Sequence, residues 1–333
     1  MGNIQIGKYV LRHGLFLAPL AGVSDRAFRE VCRAHGAEYT VSEMVSAKAL
    51  CYEQKSRKAL RTAPLASVFD YEMPMAVQLF GSEPDFLAEA ARMIEKTSYN
   101  GCLSDTPPAA IDVNMGCPVH KVVSNGEGSA LMKDPKRAAE IVKAIVGAVS
   151  LPVTVKIRTG WDPESKNAVE MAKRLEDAGA TLIAVHGRTR ADMYAPGVDY
   201  ASIRAVKESV RVPVVGNGDI YTAADALHMI KETGCDGVMI ARGALGNPFV
   251  FTEICAALEG REYTPPSVSE RFATALTQVE RMILEKGERI AIAEARKHLS
   301  WYIKGVSGAA SARVEINRAE TFDDMKRILE NLK

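Results

Sequence analysis

No run of about 20 apolar residues occurs in this sequence, so none of it reads as a membrane-spanning helix. CxxC pairs are also missing. Cys32, Cys51, Cys102, Cys117, Cys235 and Cys255 are scattered along the chain, which argues against a zinc site or a disulfide framework. No metal is expected, and free thiols suit a reducing cytoplasm. Charge of one sign is scarce as well: 42 Lys and Arg against 41 Asp and Glu leave a formal net charge of +1. No global field draws in nucleic acid, so any RNA contact has to come from a local patch. The stretch from Met1 to Leu11 is short and polar and does not read as a signal peptide. No GxGxxG follows the first strand pattern, which weakens a dinucleotide-binding open sheet.

What is present is a rhythm. Short apolar or β-branched runs recur at Leu15–Pro19, Tyr39–Glu43, Ala76–Phe80, Ile111–Asn114, Val153–Arg158, Leu182–His186, Val214–Asn217 and Val238–Ala241. Between them lie segments with the i, i+3, i+4 period of amphipathic helices, such as Asp85–Lys96, Pro135–Val149 and Ala168–Ala178. Ser24, Asp134 and Thr222 read as helix caps. Eight βα units in a chain of 333 residues predict an α/β fold, a (β/α)8 TIM barrel with room for an appended unit. The barrel is expected to span residues 1–259. Gly260 to Pro266, with its paired prolines, reads as a linker. Helical patterns alone follow, so residues 260–333 are expected to form a C-terminal helical-bundle domain.

In a barrel the carboxyl ends of the strands carry the chemistry. Here they carry Pro19, Leu20 and Ala21 on the first strand, Gln78 on the third, and Asn114 and Cys117 after the fourth. Lys156 and Arg158 lie on the fifth strand, His186 and Arg188 on the sixth, Asn217, Gly218 and Asp219 on the seventh, and Ala241 and Arg242 on the eighth. Each has an ordinary structural reading: a satisfied strand amide, an inert thiol, a core histidine. A lysine inside Val153-Thr154-Val155-Lys156-Ile157 resists that reading, because an unpaired ammonium in packed branched side chains is costly. Cys117 sits in a turn, where a thiol can act as nucleophile or proton donor. Gly218 and Gly243 stand after the last two strands, where small residues let backbone N–H groups face a phosphate.

The motifs Leu17-Ala18-Pro19-Leu20-Ala21-Gly22, Val77-Gln78-Leu79-Phe80-Gly81 and Asp112-Val113-Asn114-Met115-Gly116-Cys117-Pro118 carry a family resemblance. So do Val155-Lys156-Ile157-Arg158, His186-Gly187-Arg188-Thr189-Arg190, Asn217-Gly218-Asp219-Ile220, Ala241-Arg242-Gly243 and, in the tail, Ala295-Arg296-Lys297-His298-Leu299-Ser300-Trp301-Tyr302. Over nearly its whole length the chain resembles the tRNA-dihydrouridine synthases, in their bacterial DusB or NifR3-like branch. Asn-Met-Gly-Cys-Pro and His-Gly-Arg-Thr-Arg are the specific motifs, whereas the Asn-Gly-Asp turn occurs in many phosphate barrels. Departures are Leu20 where Met is commoner, Ala241 where Gly is, and Ala191-Asp192 where Glu-Gln is expected.

The resemblance implies bound FMN, NADPH or NADH as reductant, and reduction of the uracil 5,6 double bond in tRNA by hydride transfer. By position, Pro19, Leu20 and Ala21 would line the flavin ring, and Gln78 and Lys156 would meet its polar edge. Asn217, Gly218, Asp219, Ala241 and Arg242 would cradle its phosphate. Asn114, Arg158 and His186 would hold the flipped uridine and its surroundings, with Arg188 on the substrate side too and His186 counted also among the cofactor-binding residues. Cys117, if it stays a thiol, would be the general acid that protonates C5. From Arg281 to Arg318 eight Lys or Arg face four Glu, a modest excess that alone suits a solvated helix face. The resemblance assigns Arg296, Lys297 and Lys304 to tRNA phosphates. Two other readings stand beside it. One is an FMN barrel oxidoreductase acting on a small molecule, of the dihydroorotate dehydrogenase kind. The other is an RNA-binding protein without catalysis.

Overall fold

The computed structural model describes residues 2–54 and 61–332. Eight parallel strands close on themselves: β1 (Leu15–Leu17), β2 (Tyr39–Val41), β3 (Met75–Phe80), β4 (Ala110–Met115), β5 (Val153–Arg158), β6 (Leu182–His186), β7 (Val214–Asn217) and β8 (Gly237–Ile240). Each pairs with the next, and β8 returns to β1 with Met239 beside Phe16 and Ile240 beside Leu17. The strands sit where the apolar runs predict, with ends shifted by a residue or two.

The period of two along each strand sorts the side chains. Ile111, Val113, Val153, Val155, Ile183 and Val185 point outward into one apolar cluster with the surrounding helices. Their neighbours point inward, and these divide into two layers. The lower layer is apolar: Phe16, Tyr39, Ala76, Ala110, Leu182, Val215 and Met239 pack together. Ile4, Ile6 and Leu11 join that cluster from an antiparallel hairpin, Ile4–Ile6 with Tyr9–Leu11, which plugs the barrel from below. The sequence analysis read this segment only as short and polar. The upper layer holds polar side chains, set in cross-strand rows by the register. Gln78 lies beside Asp112 and Asp112 beside Thr154; Asn114 lies beside Lys156; Arg158 lies beside His186 and His186 beside Asn217.

Local signals explain the helix starts. Pro135–Val146 opens on Asp134, whose side chain accepts from the Arg137 N–H, and Pro135 occupies a first-turn position that needs no donor. Thr222 and Asp225 form a reciprocal capping box. The first barrel helix, Arg26–Ala34, corrects one expectation: its cap is Asp25, not Ser24. The Ser24 hydroxyl is drawn back to Leu20, accepting from its N–H at 2.8 Å, so the neighbouring carboxylate takes the Phe28 N–H.

Residues 261–267 carry no helix or strand. Beyond them the helices Val268–Lys286, Glu288–Tyr302, Ala309–Arg318 and Phe322–Glu330 surround their own core of Phe272, Val279, Met282, Ile292 and Leu299. Ala27, from the first barrel helix, is buried in this second core, so the tail packs directly against the barrel. Among the described residues, no helix is long and apolar enough to cross a membrane.

Candidate active site at the carboxyl ends of the strands

The polar upper layer opens into a cavity of about 330 Å³ at the carboxyl ends of the strands. Every barrel residue singled out from the sequence lines it. Pro19, Leu20 and Ala21 form one wall; Gln78, Asn114 and Cys117 lie at another; Lys156, Arg158, His186 and Arg188 follow; Asn217, Gly218, Asp219, Ala241 and Arg242 close the ring. Residues as far apart in the chain as Ala18 and Gly243 are thus brought to one space by the strand order.

The turn bearing Cys117 is held on three sides. Asn114 Oδ1 accepts from the Cys117 N–H at 2.9 Å and from the Gly116 N–H at 3.2 Å. Arg158 Nε donates to the Gly116 carbonyl at 2.7 Å, and the Ser129 hydroxyl donates to the Cys117 carbonyl at 2.8 Å. Gly128 makes the last contact possible: its φ is +59°, and a Cβ there would lie 2.9 Å from the Cys117 carbonyl oxygen. Burial pushes the Cys117 thiol above its usual range, against the weaker pull of Arg158 and Lys156. It therefore remains a protonated S–H at neutral pH, suited to giving a proton rather than attacking.

Lys156 is half-buried and makes no side-chain hydrogen bond among the described residues. Burial and the neighbouring Arg158 lower its ammonium to about 7, and Asp112 only partly offsets them. Asp112 carries the opposite shift: burial raises it to about 6, against hydrogen bonds from Thr154 and Gln78 and the charge of Lys156. His186 is pushed well below its ordinary value by burial and by Lys156, Arg158, Arg188 and Arg242, so its ring is neutral. Arg188 Nη1 lies 3.2 Å from His186 Nε2 and can only donate, which places the ring proton on Nδ1.

The far end of the cavity suits an anion. Asp219 has a left-handed φ of +46°, which Asp tolerates better than most residues. Its carboxylate accepts from Arg188 and, at 3.0 Å, from Arg242. The backbone N–H groups of Gly218, Asp219, Arg242 and Gly243 meet no acceptor among the described residues. At Gly243 a Cβ would lie 2.1 Å from the Ile220 carbonyl oxygen, so only glycine fits this turn. Unpaired N–H groups beside an arginine fit a phosphate, and the unpartnered Lys156 fits an electron-rich ring edge. These are the two ends that FMN presents.

The tail residues lie elsewhere. Arg296 gives Nε and Nη2 to the Ala319 carbonyl, at 3.3 and 2.8 Å, and so fastens two tail helices. Lys297 donates to the Gly22 carbonyl in the loop after β1. The Lys304 side chain is exposed and has no partner among the described residues. Arg158, expected at the substrate, gives Nη1 to the carbonyls of Thr189 (2.8 Å) and Met193 (3.0 Å), leaving Nη2 for a ligand. Sequence reasoning missed Tyr194 and Tyr221, which stand exposed on the rim with their rings 5.3 and 5.9 Å from the Arg242 guanidinium. It also gave Asp112 no role, although an acid facing inward from an apolar strand carries the same signal as Lys156.

Comparison with known proteins places this geometry. Residues 16–333 match the family described as Dihydrouridine synthase (Dus). A tRNA-dihydrouridine synthase B of Pseudomonas aeruginosa is 42% identical over 327 residues, covering 97% of this chain and 93% of that protein. A probable tRNA-dihydrouridine synthase of Rickettsia conorii is 42% identical over 315 residues, covering 94% and 91%. Among solved structures, histamine dehydrogenase from Rhizobium sp. 4-9 superposes with a TM-score of 0.56 at 14% identity, covering 89% of this chain and 50% of that one. Morphinone reductase in complex with tetrahydroNAD gives 0.51 at 13%, covering 81% and 93%. At such identities the structural likeness speaks for the barrel fold alone.

Proposed function

The chain belongs to the dihydrouridine synthase family, and on that premise we propose that FMN is its bound flavin, NADPH or NADH the reductant, and Cys117 the acid. The protein is an oxidoreductase that reduces uridine to dihydrouridine in tRNA by flavin chemistry. The observation that carries the finer reading is the pairing, in one cavity, of an anion pole at Gly218, Asp219 and Arg242 with a thiol kept protonated at Cys117.

Asn217, Gly218, Asp219, Ala241 and Arg242 would hold the phosphate of FMN, and Pro19, Leu20 and Ala21 would line its ring. Lys156 would face the edge of the ring where negative charge collects, and a cation there favours the reduced form. When bound, FMN would supply hydride chemistry at C6 of the uracil. Cys117 then gives its Sγ proton to C5, and burial keeps that proton in place until it is needed. Asn114 has one Nδ2 hydrogen left after donating to Gln78, and His186 has its Nδ1–H; both serve the polar edges of the uracil. Gln78 keeps one Nε2–H for the cofactor after giving the other to Asp112. A paired base cannot enter such a cavity, so uridine is flipped out or taken from an unstacked loop. We assign residues 1–259 to catalysis and 260–333 to gripping tRNA.

The test is reconstitution. Purified protein should release FMN on denaturation. With NADPH and tRNA from a host lacking the gene, it should restore dihydrouridine at a defined position. Oxidation of NADPH at an unchanged rate without tRNA, with no dihydrouridine formed, would overturn this reading in favour of a small-molecule reductase.

A further inference from the structure

Asp112 touches neither the expected cofactor nor the thiol, yet it starts a chain of side chains that ends at the Cys117 turn. Its Oδ1 accepts from the Thr154 hydroxyl at 2.6 Å and its Oδ2 accepts from Gln78 Nε2 at 2.7 Å. Gln78 Oε1 accepts from Asn114 Nδ2 at 2.8 Å, and Asn114 Oδ1 accepts from the Cys117 N–H at 2.9 Å. Gln78 is fully buried, and Asp112 and Asn114 are nearly so.

The polarity of this chain is set at both ends: the Gly116 and Cys117 N–H groups only donate, so they hold the Asn114 oxygen, and Asp112 orients the link between. An ionised carboxylate only accepts, so Gln78 has to turn its NH2 toward Asp112 and its oxygen toward Asn114. Asn114 then has to offer its NH2 to Gln78, which leaves its oxygen toward the Gly116 and Cys117 N–H groups. If Gln78 were reversed, its NH2 would face the Asn114 NH2. The register of β3, β4 and β5 sets these links, since Gln78, Asp112 and Thr154 are cross-strand neighbours.

We infer that Asp112 is a positioning residue: by turning the Gln78 oxygen toward Asn114 it braces the amide that grips the Cys117 turn, and so holds the thiol where it delivers its proton. The inference rests on the reading of Cys117 as the acid, but its test does not depend on turnover.

The rate of Cys117 alkylation by iodoacetamide, mapped by peptide mass spectrometry across pH, reports how tightly the turn is held. Asp112→Leu removes the acceptor. It should speed alkylation of Cys117 about fivefold, the effect of losing one hydrogen bond. Asp112→Asn can still present an oxygen to Gln78 while its NH2 faces the Thr154 hydroxyl, which can accept, so it should stay within about twofold of the parent. Should Asp112→Leu fail to fold, Gln78→Met breaks the same chain one link later and should match it. In dihydrouridine formation Asp112→Leu should lose kcat by about tenfold with KM for tRNA unchanged, whereas Gln78→Met, which also loses a contact to the cofactor, is read by alkylation alone. A parental alkylation rate in Gln78→Met, or equal acceleration by Asp112→Asn and Asp112→Leu, would overturn the inference. Faster alkylation with unaltered turnover would support the chain of bonds and instead sink the role of Cys117 as acid.

Discussion

Two lysines away from bulk solvent, one at the barrel mouth and one at the seam between barrel and tail, are treated in opposite ways. Lys156 faces the cavity without a hydrogen bond and is lowered to about 7, chiefly by burial and the neighbouring Arg158. Lys286 ends the first tail helix and meets Asp25 at 2.5 Å and Glu294 at 2.7 Å. Burial works against its charge, but the two carboxylates outweigh it and hold the ammonium above its usual range. Burial raises Asp25, but Lys286, the Phe28 N–H and His298 together outweigh it and hold the carboxyl below its usual range. The seam spends its charges on fastening: Arg281 pairs with Glu30 at 3.1 Å, and Lys297 donates to Gly22 next to the cavity wall. The mouth leaves a cation only partly matched, with Asp112 nearby but no hydrogen-bonded carboxylate among the described residues. Such a charge costs stability in the empty protein and is retained where a ligand will meet it.

The comparison predicts that mouth variants lose rate and seam variants lose stability. The largest effect is expected at Cys117→Ala. Turnover should fall about a thousandfold, within the span ascribed to a positioned general acid, while flavin content and Tm stay close to the parent. Single-turnover dihydrouridine formation measures it. A drop in Tm without loss of rate would reverse the division between the two regions.

Next in size is the pair Lys156→Met and Lys286→Met. Removing Lys156 deletes an unpaired charge, so the cofactor-free protein should unfold no more easily than the parent and should hold flavin less well. Removing Lys286 strands Asp25 beneath the tail. The cost should be about 1–3 kcal/mol, less than for a fully buried pair because Lys286 is 21% exposed. Denaturant unfolding of both variants decides the matter, and equal losses would mean that the two lysines do the same work.

Titration sharpens the same contrast. Lys156 has an ordinary value of 10.5 and about 7 in the fold. Between those pH values the unfolded chain holds a proton that the folded one lacks, so this group's contribution to stability rises with pH. His298 stands at the seam, buried between Phe28 and Trp301, with Gln278 Nε2 at 2.9 Å from its Nδ1. Burial lowers it from 6.5 to about 4, so its contribution is lost as pH falls from 6.5 to 4. Tm measured against pH should flatten in the alkaline window for Lys156→Met and in the acid window for His298→Phe. Unchanged slopes would remove the electrostatic account of both regions.

Much of the mouth was legible in the sequence because it violates the sequence's own pattern. Lys156 and Gln78 interrupt apolar strands at inward phases, and a barrel has few places to put them. Asp112 interrupts β4 in the same way, yet its role stayed hidden. A carboxylate's function depends on what lies beside it, and Gln78 and Thr154 become its neighbours only through register. The hairpin that plugs the barrel was missed because three-residue strands are too short to show a period. The cap at Arg26–Ala34 was misplaced by one residue because Ser24 and Asp25 are both good caps, and the pull of Leu20 on Ser24 is tertiary. The seam was the least legible part. Residue type marks Arg296 and Lys297 as cations but does not say that Ala319 and Gly22 already hold them.

Lys304 is a tail cation with no side-chain partner among the described residues, and the smallest prediction follows from it. Arg296 is committed to the Ala319 carbonyl, so Arg296→Ala should act mainly through tail stability. Lys304 is exposed and has no side-chain partner among the described residues, so Lys304→Ala should leave the fold untouched. If it meets a tRNA phosphate, its loss should weaken binding modestly and reduce the slope of log K against log salt by about one. The flavin spectrum should not change, because Lys304 does not line the cavity. A salt slope equal to the parent's would move the tRNA contact to the exposed rim of the barrel, where Tyr194 and Tyr221 present their rings.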